Sequence, residues 1–329
     1  MDALSEILRV VRLVGAIFIQ AKFTAPWSYQ SPCADSVAPL LEPGAERVVI
    51  FHLIIEGECF VELADQSPAH LIAGDVVLFP MGDAHLMSSQ PGLPAATGAR
   101  LDVVLSRRPR QLAYGGGGQV TRIVCGYLAC DTRLARMLLA GLPSLVKINV
   151  RGSNAGAWLE ASVRYALTEA RSPRPGGAGV LSKIAEVLVI EVLRLYVNEQ
   201  RQGRTGWLAG LGDPIVGPAL NAMHASTAHA WTLDQLANAI GTSRSILAER
   251  FHSLVGTSPM KYLTQWRMLL AANLLSQSNA PLARIAEDVG YQTDTAFSRA
   301  FSREFGVPPA AWRRNQVTRA HMCFSNVDG

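Results

Sequence analysis

No stretch of this chain is long and apolar enough to cross a bilayer. The apolar runs Leu13–Ile19 and Val187–Val197 stop short of the ~20 uncharged residues that a membrane helix needs, and Glu191 and Arg194 break the second. Cysteine is scarce. Five in 329 residues (Cys33, Cys59, Cys125, Cys130, Cys323), odd in number and scattered, argue against a disulfide framework and for reduced thiols. A strong charge of one sign is also lacking: 30 Lys plus Arg face 26 Asp plus Glu, net +4. Such a balance permits a nucleic-acid partner through a local basic face without demanding one. The opening Met1-Asp2-Ala3-Leu4-Ser5-Glu6 is acidic where a secretory leader would be positive. The expectation is a soluble, cytoplasmic protein with no membrane partner.

What is present is apolar and ordered. Hydrophobic residues make up 49% and charged residues 17%, a balance that excludes disorder, and the length calls for two or three domains. The first ~125 residues read as short strands. Arg47–Ile55, Cys59–Leu63, Asp75–Phe79 and Val120–Gly126 are β-branched and separated by Gly, Pro, Asp and Ser. Arg107–Gly118, with four consecutive glycines, reads as a mobile loop. From Thr132 the pattern turns helical, with Leu134, Leu138 and Leu142 at helical spacing and Trp158, Val163 and Leu167 more loosely so. Ser172–Gly179 breaks it. Val180–Arg201 then reads as a long helix too apolar for one buried face, either a dimer interface or a core helix of the preceding domain. Gly203–Asp213 lacks periodicity and reads as a linker.

Beyond residue 230 one pattern occurs twice. Leu233-Asp-Gln-Leu-Ala-Asn-Ala-Ile-Gly241 precedes Ser243-Arg-Ser-Ile-Leu-Ala-Glu-Arg-Phe251 and Gly256; Leu282-Ala-Arg-Ile-Ala-Glu-Asp-Val-Gly290 precedes Thr293-Asp-Thr-Ala-Phe-Ser-Arg-Ala-Phe301 and Gly306. Each copy is a short helix, a glycine turn, an N-cap (Ser243 or Thr293) and a second helix anchored by Leu247 and Phe251 or by Phe297 and Phe301. That is the helix-turn-helix layout. Between the copies, Pro259–Gln277 contains no internal glycine or proline and reads as a rigid strut. Such a strut would set two recognition helices about 34 Å apart, in successive major grooves.

With the anchors facing inward, the first recognition helix exposes Arg244, Ser245, Ala248, Glu249 and His252, and the second Asp294, Thr295, Ser298, Arg299 and Ser302. Arg299 is the candidate for a bidentate contact to guanine. Thr295 and Ser298 would meet bases or thymine methyls, and Glu249 either accepts from cytosine or pairs with a neighbouring arginine. Thr232, Arg250, Arg284 and Arg303 are candidates for the phosphate backbone. From Asp213 onward ten basic residues face eight acidic ones, thin electrostatics that point to modest affinity per protomer and dependence on a homodimer.

The segment from about Pro214 to Asn315 resembles the AraC/XylS family of bacterial regulators, above all in Ile285-Ala-Glu-Asp-Val-Gly-Tyr291, Phe297-Ser-Arg-Ala-Phe301 and Phe305-Gly-Val-Pro-Pro309 with Trp312-Arg313 behind. The resemblance implies a seven-helix DNA-binding domain on double-stranded promoter DNA, and activation through RNA polymerase more often than repression. Gly74-Asp-Val-Val-Leu-Phe-Pro80-Met-Gly82-Asp-Ala-His85 resembles the second motif of cupins, and Phe51-His52-Leu-Ile-Ile-Glu56-Gly57 the end of the first. Val49 and Ile50 stand near where the His-x-His ligands of metallocupins would be expected, so no metal, cofactor or catalytic residue is implied, and a cupin enzyme with a DNA-binding tail is disfavoured.

The expected fold is α+β: a cupin-like β-barrel sensor (1–131), a helical dimerisation and connector segment (132–202), a linker (203–212), a double helix-turn-helix domain (213–316) and a tail (317–329). The expected function is a DNA-binding transcription regulator, not an enzyme. Its effector is a small molecule in a barrel pocket lined by Trp27, His52, Phe79 and His85. The alternative input is thiol oxidation at Cys59, Cys125 and Cys130.

Overall fold

The computed structural model describes residues 2–11, 13–34, 38, 47–95, 111–130, 139, 141–152, 155–171, 174–199 and 205–314. The chain divides into two compact units. One takes Leu13–Ala135 and Leu142–Glu199, the other Met1–Arg12, Arg136–Gly141 and Gln200–Gly329.

The first unit is built on ten strands: β1 (Leu13–Thr24), β2 (Ser28–Ser31), β3 (Arg47–Glu56), β4 (Glu58–Glu62), β5 (Ala69–Ile72), β6 (Asp75–Phe79), β7 (His85–Ser88), β8 (Gln111–Gly115), β9 (Val120–Cys130) and β10 (Val146–Asn149). They form a six-stranded sheet, β10-β6-β3-β9-β1-β8, and a four-stranded sheet, β2-β7-β4-β5. Period-two alternation explains the packing. Along β3, Val48, Ile50 and Ile54 join one apolar cluster with Val77, Phe79, Ile123 and Tyr127. Phe51, on the opposite face, lies edge-on to Phe18 and so close to Gly126 that a Cβ there would sit 1.9 Å from its ring. Among the described residues the unit also holds helices α2 (Gly156–Arg171) and α3 (Gly177–Asn198). Helix α3 packs on β1, β9 and β10 and buries Ala185, Leu188, Val189, Val192, Leu193 and Tyr196. Of the two readings for this helix, the core role is present.

Three expectations for this unit differ from the structure. Gln111–Gly115 is a strand parallel to β1, with Gln20 opposite Gln111; only the glycines after it form the bend, and Arg107–Arg110 lie outside the described residues. Val146–Asn149, within the stretch expected to be helical, pairs antiparallel with β6 and buries Val146 and Ile148. Four residues are too few to register as a change of period. Trp158, expected on an apolar helix face, is 52% exposed. The helix expected over Leu134 and Leu138 falls outside the described residues.

The second unit opens with α1 (Ala3–Val10). It continues with α4 (Trp207–Leu211), α5 (Val216–Ala225), α6 (Leu233–Ala239), α7 (Arg244–Val255), α8 (Pro259–Gln277), α9 (Leu282–Asp288) and α10 (Asp294–Phe305). Residues 309–314 are helical again, so seven helices run from Val216 among the described residues. Helix α1 was not foreseen. Asp2 caps it by accepting from Ser5 N at 2.9 Å, and Ala3, Leu4, Ile7 and Val10 are buried. It packs against α5 and α8, and Ala3 N donates to Asn221 Oδ1 at 2.9 Å. Residues 2–11 therefore belong with the helices of this unit rather than with the strands. The expected linker is also partly structural: Trp207 and Leu208 are buried on α4.

Trp207 enters a buried polar chain. Its Nε1 donates to Tyr262 OH at 2.6 Å, which leaves the tyrosine proton to donate to His224 Nε2 at 2.7 Å. Burial pushes the His224 pKa down to about 3, against ~6.5 in an unfolded chain. The folded unit therefore takes this proton much later than the unfolded chain. Its stability is complete above pH 6.5 and is lost progressively as pH falls toward 3. From pH 7 to pH 5 the loss through His224 should be on the order of 2 kcal/mol. His224→Gln, whose amide oxygen accepts from Tyr262, should flatten the dependence in urea unfolding. An identical pH slope in both proteins contradicts this.

Candidate nucleic-acid interface

The two helix-turn-helix copies are closed by the residues their sequence suggests. Thr232 and Gln235 make a reciprocal capping box at α6: Thr232 Oγ1 accepts from Gln235 N at 3.2 Å, and Gln235 Oε1 accepts from Thr232 N at 3.0 Å. Ser243 Oγ accepts from Ile246 N at the start of α7, and Thr293 Oγ1 from Ala296 N at the start of α10. The turns need glycine, since Gly241 and Gly290 sit at φ +73° and +83°, and a Cβ on Gly290 would lie 2.7 Å from Ala228 O. Leu247, Phe251, Phe297 and Phe301 are fully buried. That leaves Arg244, Ser245, Glu249 and His252 exposed on α7 with Ala248 half-buried, and Asp294, Thr295 and Arg299 exposed on α10 with Ser298 half-buried. Asp294, Thr295, Ser298, Arg299, Ser302 and Pro308 line one open groove. Ile246 was not anticipated: 50% exposed on α7, it lies outside the Leu247 and Phe251 spacing that was used to sort inside from outside.

Charge pairing separates the candidates. Arg299 and Arg303 have no carboxylate partner among the described residues, and neither does Glu249 an arginine or lysine. Arg244 lies 3.6 Å from Asp234 with both ends in water, a weak and screened contact. Arg284 reaches Glu287 and Asp288 on its own exposed face.

In the strand unit, three of the four expected pocket residues come together. The Pro80-Met81-Gly82 turn carries the chain from β6 in one sheet to β7 in the other, where His85 Nε2 lies 2.7 Å from His52 Nε2. Phe79 stacks on His85 at 3.6 Å between centroids, while Trp27 stacks on Phe23. All four are buried. Burial holds His85 down to about 4 and His52 well below its ordinary value, with the neighbouring His85 adding to the effect, so both rings are neutral. No three His, Cys, Asp or Glu side chains among the described residues are grouped to hold a metal. Cys59 and Cys125 are free and buried, and burial pushes the Cys125 thiol up to about 12 and Cys59 higher still. Neither carries the thiolate that oxidation requires. The Cys130 side chain lies outside the described residues.

A family profile described as Cupin matches residues 2–198, and one described as Helix-turn-helix domain matches residues 236–315. A putative AraC-like transcription regulator of Streptomyces lividans is 35% identical over 82% of this chain and 88% of its own length. The chain belongs to the AraC-like transcription regulators. Two further relatives match almost end to end: AlkR of Acinetobacter baylyi at 29% identity (95% of this chain, 99% of its own), and the RCS-specific transcriptional activator RclR of Escherichia coli at 28% (95% and 97%). The regulator is thus a DNA-binding protein of α+β build, and no described helix is long and apolar enough to cross a membrane.

Two residues expected at the DNA backbone also make contacts within the helical unit. Arg250 is committed internally: its Nε and Nη2 donate to Asp213 Oδ2 at 2.9 and 2.8 Å, while Asp213 Oδ1 accepts from Ile215 N and Val216 N at the start of α5. Asp213 is buried, and the fork ties α7 to that turn. The acceptor side of the Thr232 hydroxyl is likewise used by its cap. Arg250→Ala strands a buried carboxylate, so it should destabilise the helical unit by about 1.5–3 kcal/mol. Thermal and urea unfolding measure this. Unchanged stability with weaker DNA binding would return Arg250 to the phosphate role.

Proposed function

We propose that this AraC-type regulator is a homodimeric, effector-controlled activator that reads promoter DNA with α7 and α10 together and contacts RNA polymerase. The observation that carries the reading is the unpaired Arg299 on the open face of α10, flanked by Thr295 and Ser298. A guanidinium free of internal partners keeps its fork for guanine O6 and N7. Helix α7 offers a different chemistry. Arg250 is forked onto Asp213 and Glu249 has no charged partner among the described residues, so its central reading group is a carboxylate suited to cytosine N4, with Ser245 and Ala248 beside it and Arg244 and His252 at the edges. Arg303 and Arg284 serve the phosphates, and the Thr232 hydroxyl proton remains able to join them.

The balance of ten basic against eight acidic residues from Asp213 onward favours a dimer on DNA. Trp158 and Tyr165, seven residues apart on α2, together with Val180 on α3, are exposed apolar side chains suited to that contact. Activation is supported by kinship with the activator RclR. The effector reading rests on the barrel interior, and the buried, protonated state of Cys59 and Cys125 speaks against thiol oxidation as the input.

Arg299→Ala should weaken binding to a specific site by ~1–3 kcal/mol and relax one base position, whereas Arg303→Ala should weaken all sequences alike and lower the salt slope by about one. Fluorescence anisotropy against the cognate duplex and single-base variants at several salt concentrations separates the two. An Arg299→Ala protein with full discrimination contradicts the assignment.

A further inference from the structure

One large apolar side chain on the first recognition helix stands outside the core. Ile246 is 50% exposed in the first turn of α7, the part of a recognition helix that meets base edges. A lone exposed isoleucine is ordinary on a general protein surface; here its place gives it meaning. The second copy shows that the layout does not require it. Ser243 and Thr293 cap the two helices alike, accepting from Ile246 N at 3.3 Å and from Ala296 N at 3.2 Å. The same position thus carries isoleucine in α7 and alanine in α10, and it is exposed in both. Packing does not call for the larger side chain, and helix formation disfavours it, since alanine is the better helix former.

The polar groups around it are engaged locally. In the same turn Arg244 lies 3.6 Å from Asp234, and Ser245 Oγ lies 3.2 Å from the capping Ser243 Oγ. Arg250, four residues on, is held on Asp213 by both of its donors. Glu249, three residues after Ile246, is its exposed neighbour on the helix surface. Isoleucine is branched at Cβ and keeps one dominant χ1 rotamer in a helix, so its methyls are presented with little freedom left to lose. The base edges of the major groove offer such a side chain one apolar partner. Guanine, cytosine and adenine present donors and acceptors there, whereas thymine also presents its C5 methyl.

We infer that Ile246 is a specificity-determining residue that reads a thymine C5 methyl in the half-element bound by α7. The inference rests on the DNA reading proposed above and adds a base to it. Three helical residues advance ~4.5 Å against ~3.4 Å per base pair, which places this thymine within about two base pairs of the cytosine facing Glu249. The test uses the full-length protein and a duplex recovered by selection from genomic fragments, with each thymine replaced in turn by deoxyuridine. That exchange removes the methyl and leaves the pairing edge intact. Measured by fluorescence anisotropy, one such exchange in the α7 half-element should weaken binding by about fourfold. Ile246→Ala, which installs the residue that α10 already carries there, should lose about as much on the thymine duplex and then be indifferent to that deoxyuridine, while Ile246→Val stays sensitive to it. A duplex in which no thymine methyl matters, or an Ile246→Ala protein that still registers its loss, overturns the inference and leaves reading by the two helices standing. Binding with no sequence preference overturns both.

Discussion

One nineteen-residue helix, α8, lies between the two helix-turn-helix copies and holds them together. It packs against α7 of the first helix-turn-helix and against α9 and α10 of the second. At ~1.5 Å per residue it is about 28 Å long, a length commensurate with the ~34 Å between successive major grooves. The helix is held firmly. Tyr262 and Trp266 are buried, Trp266 Nε1 donates to Thr227 Oγ1 at 3.0 Å, and Arg267 donates to the carbonyls of Thr227 and His229 at 2.9 and 2.7 Å. The buried Trp207–Tyr262–His224 chain ties α4 and α5 to the same helix. Two recognition helices fixed to one strut can be complementary to a single DNA geometry, where two independent modules would each have to find their own.

Both units pair the carboxylates Asp75 and Asp213 that they bury. On α7 and α10 Glu249 and Arg299 stand in water without a charged partner among the described residues. Where the fold uses a charge it commits it fully, as in the Arg250–Asp213 fork. In the strand unit the buried Asp75 is paired likewise, by Lys147 at 3.1 Å and by Asn149 Nδ2 at 2.8 Å. An exposed guanidinium of the first kind suits a polyanion.

Much of the helical unit was legible because its signals are local. Caps at Ser243 and Thr293, turn glycines at 241 and 290, and apolar anchors four residues apart are all read within a dozen residues. What escaped depends on partners far along the chain. Arg250 reads as a solvated charge until Asp213, 37 residues earlier, is seen beneath it. Asp2, with Leu4, Ile7 and Val10, is a legible capped helix, yet its partners on α5 and α8 lie more than 200 residues away. In the strand unit the cupin-like Pro80-Met81-Gly82 turn and His85 were readable, whereas the 2.7 Å approach of His52 comes from the facing of two sheets, which no spacing encodes. Strands β8 and β10 were missed because four or five residues carry too little periodicity against glycine-rich or helical surroundings.

The most direct test of the central claim is selection of binding sites from genomic DNA fragments by the purified full-length protein. If α7 and α10 act together on the α8 strut, the recovered motif holds two short half-elements about one helical turn apart, 10–10.5 base pairs, with a guanine in one and a cytosine in the other. A motif with a single half-element, or no enrichment above non-specific binding, would contradict joint reading by the two helices.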